Sequence, residues 1–164
     1  MKIKVKEKEL ELEGFFYNVK DFMLRDRTSL ALILYDSDED GTCEYGRLTT
    51  GFGEFIGMKG TTYINGNGIF FDPEQVMIEN GLGIQMGGIK KQSGFCEYPL
   101  YLINPYLLEK IYKKDELCEY LGYYRFMNEH ILNDEEYEND IAELKASYDE
   151  YYEKCTGKKA RHNF

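Results

Sequence analysis

Residues 31–48 read ALILYDSDEDGTCEYGRL. Asp36, Asp38, Asp40 and Gly41 match the opening D-x-D-x-D-G of a calcium loop, and the choice between that loop and an acidic hairpin decides the fold. An EF-hand loop needs a bidentate carboxylate at its twelfth position and a helix on either side. Counted from Asp36, the twelfth position is Arg47, a cation, and Glu44 at the ninth cannot replace the missing ligand. The flanks are strand-like: SLALILY (29–35) is a short apolar run bounded by polar turn residues, and CEYGRLTT (43–50) is its pairing partner. Asp, Ser and Gly are also what a tight turn selects, for local backbone bonding and positive φ. The segment is therefore predicted to be a β-hairpin, with Asp36, Asp38 and Asp40 as a weak candidate cation site.

Outward from this hairpin, the first half of the chain reads as sheet. Residues 2–5 alternate Lys, Ile, Lys, Val, and Leu10 and Leu12 continue the two-residue period. GFFYNVKDFML (14–24) reads as a further strand or a bent continuation, and TTYIN (61–65) and GIFF (68–71) flank the turn signal NGNG. A short helix is predicted at 73–79: Asp72 can cap it, Pro73 suits the first position, and Asn80-Gly81 can end it. GFCEYPLYLI (94–103) returns to strand, with Pro99 marking an edge or bend.

Past residue 105 the texture is helical. Asn104-Pro105 opens one helix and Asp115 another, in which Leu117, Leu121, Tyr124 and Ile131 recur near helical spacing. Asn133 and Glu136 have capping-box spacing, after which Tyr137, Ile141, Leu144, Tyr148, Tyr151 and Cys155 step by 4, 3, 4, 3, 4 to a stop at Gly157. That seam suits packing on the chain's own core, or a helix–helix dimer. Lys158, Lys159 and Arg161 sit where cations complement a helix C-terminus, and His162 falls in a tail expected to fray. The predicted class is α+β: an antiparallel β-sheet half with one short helix (1–105), and a C-terminal helical extension packed on it (106–164).

Composition limits the function. The 164 residues carry a net charge of −10, which disfavours nucleic acid or an anionic membrane as direct partner and suits a protein with a basic face. No run of 18 apolar residues and no signal-peptide core occurs, so a cytoplasmic protein is expected. Cys43, Cys96, Cys118 and Cys155 form neither a disulfide framework nor a zinc spacing and are expected to be reduced, semi-buried thiols. GFGEFIG places Ile56 where a dinucleotide fingerprint needs its third glycine, and GLGIQMGG lacks a P-loop ending. Ser93 lacks a nucleophile elbow, and Cys118 and His130, twelve residues apart, form no pattern that a thiol enzyme requires. No catalytic residue and no cofactor is assigned, and a non-enzymatic protein is expected.

Charge and tyrosine gather in the helical half. From Glu129 to Glu153 ten acids (Glu129, Asp134, Glu135, Glu136, Glu138, Asp140, Glu143, Asp149, Glu150 and Glu153) face one lysine, Lys145, for a local −10 + 1 = −9. Eleven of the fifteen tyrosines lie between Tyr98 and Tyr152. Carboxylates along a rigid helix imitate the charge line of a nucleic-acid backbone, and tyrosine supplies contact area at modest entropy cost. These ten acids with Tyr148 and Tyr152 are the predicted partner-binding set. The bland alternative is a solvated acidic face.

LALIL (30–34), RLTT (47–50), ENGLG (79–83) and the stretch from Ser93-Gly94-Phe95 to Pro99-Leu100-Tyr101 resemble a family of small domain-of-unknown-function proteins carried by phages, plasmids and conjugative elements of low-GC bacteria. The resemblance covers roughly residues 8–105, and the acidic segment 106–164 departs from it. It transfers no catalytic residue. What it implies is a mobile-element setting, where small acidic proteins counter host defence. The expected function is that of an inhibitor of the anti-CRISPR type, occupying the basic groove of a host nucleic-acid-handling complex such as a CRISPR effector, as a monomer or homodimer. The alternative is a dimeric regulatory or scaffold protein of the element that uses the Tyr137–Cys155 seam.

Overall fold

The structure, a computed structural model, describes residues 1–20, 26–39, 41–52, 58–66, 71–126 and 130–164, with the backbone alone at 18–20, 26–28 and 126. Among the described residues eight strands, β1 (Lys2–Val5), β2 (Lys8–Lys20), β3 (Asp26–Asp38), β4 (Gly41–Arg47), β5 (Thr49–Thr50), β6 (Thr61–Ile64), β7 (Gly83–Ser93) and β8 (Cys96–Ile103), combine with four helices. The helices are α1 (Pro73–Glu79), α2 (Pro105–Ile111), α3 (Lys114–Phe126) and α4 (Asp134–Thr156). The fold is α+β, with two four-stranded antiparallel sheets ordered β1-β2-β3-β4 and β5-β6-β8-β7.

The acidic stretch is a hairpin. Asp36 pairs with Cys43, Ser37 with Thr42 and Asp38 with Gly41. The Asp38 carboxylate accepts the Gly41 amide at 3.1 Å, the local bond that makes aspartate a turn residue. CEYGRLTT is not one strand, however. Residues to Arg47 stay with β3, Leu48 is fully buried, and Thr49–Thr50 cross to pair with β6 in the second sheet. Threonine hydroxyls join the sheets at this crossing: Thr49 Oγ1 accepts the Leu32 amide at 3.0 Å, and both Thr49 and Thr62 donate to the Leu30 carbonyl. β3 is thereby covered on both faces from Leu30 to Leu34, as its unbroken apolar run requires.

β8 lies between β6 and β7, so Pro99 is not on an edge strand; it stands past the last β6 pair, Tyr63–Leu100, and opposite Lys90 just after the β7–β8 register breaks. That break contains Gly87 and Gly88, both at positive φ, and there the Gly87 amide donates to the Tyr151 hydroxyl of α4 at 2.9 Å. Residues 68–70 of the predicted GIFF strand lie outside the described residues, and Phe71 is a buried side chain stacked on Tyr45.

The helix caps follow the sequence. Asp72 accepts the Glu74 and Gln75 amides, Asn104 accepts the Tyr106 amide, and Asn133 and Glu136 close a reciprocal capping box. α2 and α3 lean on the first sheet through an aromatic stack, Phe16 lying 4.2 Å from Tyr112 and 4.8 Å from Tyr120 between ring centres. The Tyr112 hydroxyl donates to the Ala31 carbonyl at 2.9 Å, and Tyr120 accepts the Gly60 amide at 2.9 Å. One buried cluster runs from Ile3 and Leu10 through Ile103 and Leu121 to Tyr137, Ile141, Leu144 and Tyr148, so the helices complete the core of the sheets.

The tail does not fray. The Arg161 guanidinium donates to the Asn80 carbonyl at the end of α1, and the fully buried Asn104 amide donates to the Arg161 carbonyl at 2.8 Å. All four cysteines are free; Cys43 and Cys155 are exposed, Cys96 is half-buried and Cys118 buried.

Candidate partner-binding face

α4 has two unlike sides. Tyr137, Ile141, Leu144 and Tyr148 are buried in the chain's own core, so four of the six seam positions are already used within the monomer. The fifth, Tyr151, is engaged with the second sheet through Gly87 and the Gln85 carbonyl. A helix–helix dimer through this seam would have to withdraw those side chains from the core. The opposite side presents Asp134, Glu135, Glu138, Glu143, Glu150 and Glu153 to solvent.

The predicted contact set divides on inspection. Asp140 is only 7 % exposed and lies between Lys59, 3.3 Å away, and Arg125, 3.9 Å away; it is an internal counter-ion, not a contact residue. Tyr148 is fully buried beside the Asn104 amide without completing a hydrogen bond to it, so it too leaves the contact set. Glu136 accepts the Asn133 amide and faces Arg125 at 3.4 Å and His130 at 3.4 Å. The backbone bond, then the histidine and the arginine, hold its carboxyl below the ordinary glutamate range. Asp149 accepts the Tyr106 hydroxyl at 2.9 Å and pairs with His162 at 3.0 Å, and the Tyr106 and His162 rings stack at 4.0 Å. Burial first, and Asp149 second, push the Tyr106 phenol up to about 12.

Lys114 reaches Asp134 at 2.9 Å and Glu138 at 3.7 Å, and Glu143 is 3.9 Å from Lys59. These are exposed pairs that water screens. Tyr152 is half-buried against Tyr148. Among the described residues Glu135, Glu150 and Glu153 are the exposed carboxylates of α4 whose charge no ion pair offsets. Glu129 lies outside the described residues, as does Asp40 of the acidic hairpin. Asp36 is ion-paired with Lys8 and Asp38 is the turn acceptor, so both are engaged within the chain.

The cations Lys59, Lys114 and Arg125 escape sequence reasoning because they come from other elements; Lys59 stands 81 residues before Asp140. A polar cleft of about 620 Å³ opens beside α1, lined by Lys6, Asp72, Glu74, Lys90 and Glu97 among others. Of these, Glu74 accepts the Tyr101 hydroxyl at 3.0 Å and Lys90 pairs with Glu97 at 2.9 Å. Among the described residues no group of three or more His, Cys, Asp or Glu side chains is arranged to hold a metal, and no helix is long and apolar enough to cross a membrane.

Neither the curated proteins nor the solved structures gave a match to the chain. A family model described as a domain of unknown function (DUF4313) matches residues 17–126, more than half of the 164 residues. Its span includes α2 and α3, beyond the resemblance read from the sequence to residue 105, closes at the last residue of α3, and leaves β1 and α4 outside. Built on two sheets and the two helices that cover them, the chain belongs to this DUF4313 family of unknown function.

Proposed function

We propose that the protein is a non-enzymatic binding protein of a bacterial mobile element, acting in the host cytoplasm. The outward side of α4 docks in the basic groove of a host complex that handles nucleic acid, a CRISPR effector being the type. The reading rests on one observation: α4 buries its tyrosine seam and turns Glu135, Glu138, Glu143, Glu150 and Glu153 the other way. From Glu135 to Glu153 a helix rises about 27 Å, a stiff line of charge long enough to follow a groove. The position of α4 outside the matched family span suits an element that adapts a shared domain to a particular partner. Charge of this kind contributes more to association rate and selectivity than to final affinity.

The test is binding of the full chain to purified effector complexes at low and high salt, beside a variant with those five glutamates replaced by lysine. Capture that weakens with salt and disappears in the variant is expected. Equal capture by a folded variant would refute the reading.

A further inference from the structure

Gly157 ends α4 in the left-handed conformation (φ +67°), and residues 158–164 then lie in a groove between the end of α1, the start of α2 and Asp149 of α4. Three contacts seat this segment. The Arg161 guanidinium donates to the Asn80 carbonyl at 3.0 Å, and its stem runs over Gly81, where an added Cβ would stand only 3.3 Å from it. The fully buried Asn104 amide donates to the Arg161 carbonyl at 2.8 Å and to the Gly81 carbonyl at 3.1 Å. His162 lies flat on the Tyr106 ring and reaches the Asp149 carboxylate at 3.0 Å. One residue is thus held through side chain and main chain together, and the next by a ring and an acid. Grooves that read extended peptides work in this way, with main-chain bonds for affinity and side-chain seats for selectivity.

The segment fills the groove only in part. Lys158, Lys159, Arg161, His162 and Asn163 stay exposed, and a hollow of about 260 Å³ remains beside Asn163 and Phe164, lined also by Tyr106, Glu109 and Lys110 of α2. The Phe164 ring stands 4.6 Å from the Arg161 guanidinium of its own segment. Few buried contacts and an exposed backbone place such a segment among the parts of a fold that open most readily. The groups of the groove that meet its side chains, the Asn80 carbonyl and the Asp149 carboxylate, are acceptors, and they suit a cationic occupant.

We propose that the groove is a peptide-recognition site and that residues 158–164 are its built-in, displaceable occupant. The partner it fits is an extended basic segment of another protein, with an arginine on the Asn80 carbonyl and a flat ring on Tyr106. The chain's own segment competes with that partner: tethered at Gly157, it acts at an effective concentration on the order of mM. The site lies apart from the outward glutamates of α4 and does not rest on their role.

The probe is a fluorescently labelled peptide of residues 158–164, followed by anisotropy with the full chain. Arg161→Ala in the chain unseats the resident segment and is expected to bind the peptide about tenfold more tightly than the wild type does. A peptide of the same composition in scrambled order, which keeps the charge, is expected to bind neither chain above background. In a second measurement, a millimolar excess of unlabelled peptide is added to isotope-labelled wild-type chain. The chain's own Arg161, His162 and Asn163 amide signals are expected to move toward the positions of an unseated segment. A folded Arg161→Ala chain that binds no better than the wild type, equal binding of the scrambled peptide, or wild-type signals that stay in place overturns the proposal.

Discussion

Asp140 and Glu150 are chemically alike and ten residues apart on one helix, yet burial gives them different work. Asp140→Ala removes the counter-ion that Lys59 and Arg125 share, leaving Lys59 with Glu143 at 3.9 Å and Arg125 with Glu136 at 3.4 Å. Both cations keep part of their water, so the expected loss is about 1–3 kcal/mol in chemical denaturation. Glu150→Ala and Glu153→Ala, on the exposed side, are expected to shift stability by no more than about 0.5 kcal/mol. Tyr148→Phe removes a buried hydroxyl that has no completed hydrogen bond, and by the same measurement is expected to be neutral or to stabilise by up to about 1 kcal/mol. Glu136 titrates below the ordinary glutamate range when folded. Its contribution is therefore present above that range and disappears as pH falls through the lowered folded value. Glu136→Gln is expected to flatten the acid side of a stability–pH profile. The spacing of the α4 seam left two readings open, the chain's own core or a helix–helix dimer, and Tyr137, Ile141, Leu144 and Tyr148 are buried in the core. The burial of Asp140 and the placement of Tyr148 inside the core and not on the contact face were not legible, because composition counts a carboxylate or a phenol without saying what faces it.

Elements with local causes were the most readable. The helix at 73–79, its Asp72 cap, the Asn104-Pro105 start and the capping box of α4 all depend on residues within four positions of one another. Asn133→Ala, which opens that box, is expected to cost about 1 kcal/mol and to speed amide exchange in the first turn of α4 more than in its middle. The sheets were less readable. Leu48 moves the chain from one sheet to the other within two residues, and nothing local distinguishes it from an ordinary strand leucine; the cause is Leu30 and Leu32, more than fifteen residues back, bonded to Thr49. Pro99 marked an edge or a bend; it stands where the β7–β8 register resumes after its break and past the last β6 pair, and which strands flank β8 is a property of the sheet, not of the proline.

For the molecule as a whole, the last seven residues are the clearest departure from expectation. They read as a loose polar tail, but Arg161 bridges the end of α1 and the start of α2 through Asn80 and Asn104. Deleting residues 158–164 is expected to remove about 1–3 kcal/mol, seen as a melting temperature several degrees lower, because it uncovers the buried Asn104 amide. The two sheets, their helices and α4 share one apolar cluster, so that loss should appear as an earlier single transition and not as a separate melting step.

The outer strand of the second sheet would otherwise be an open template. Where β7 passes Gly87 and Gly88 its row of backbone groups is interrupted, and the phenol of Tyr151 takes up the amide that an arriving strand would need. A foreign segment sliding along that margin therefore meets a gap after a few residues and cannot zip further. The kink thus guards this protein against runaway fibril growth.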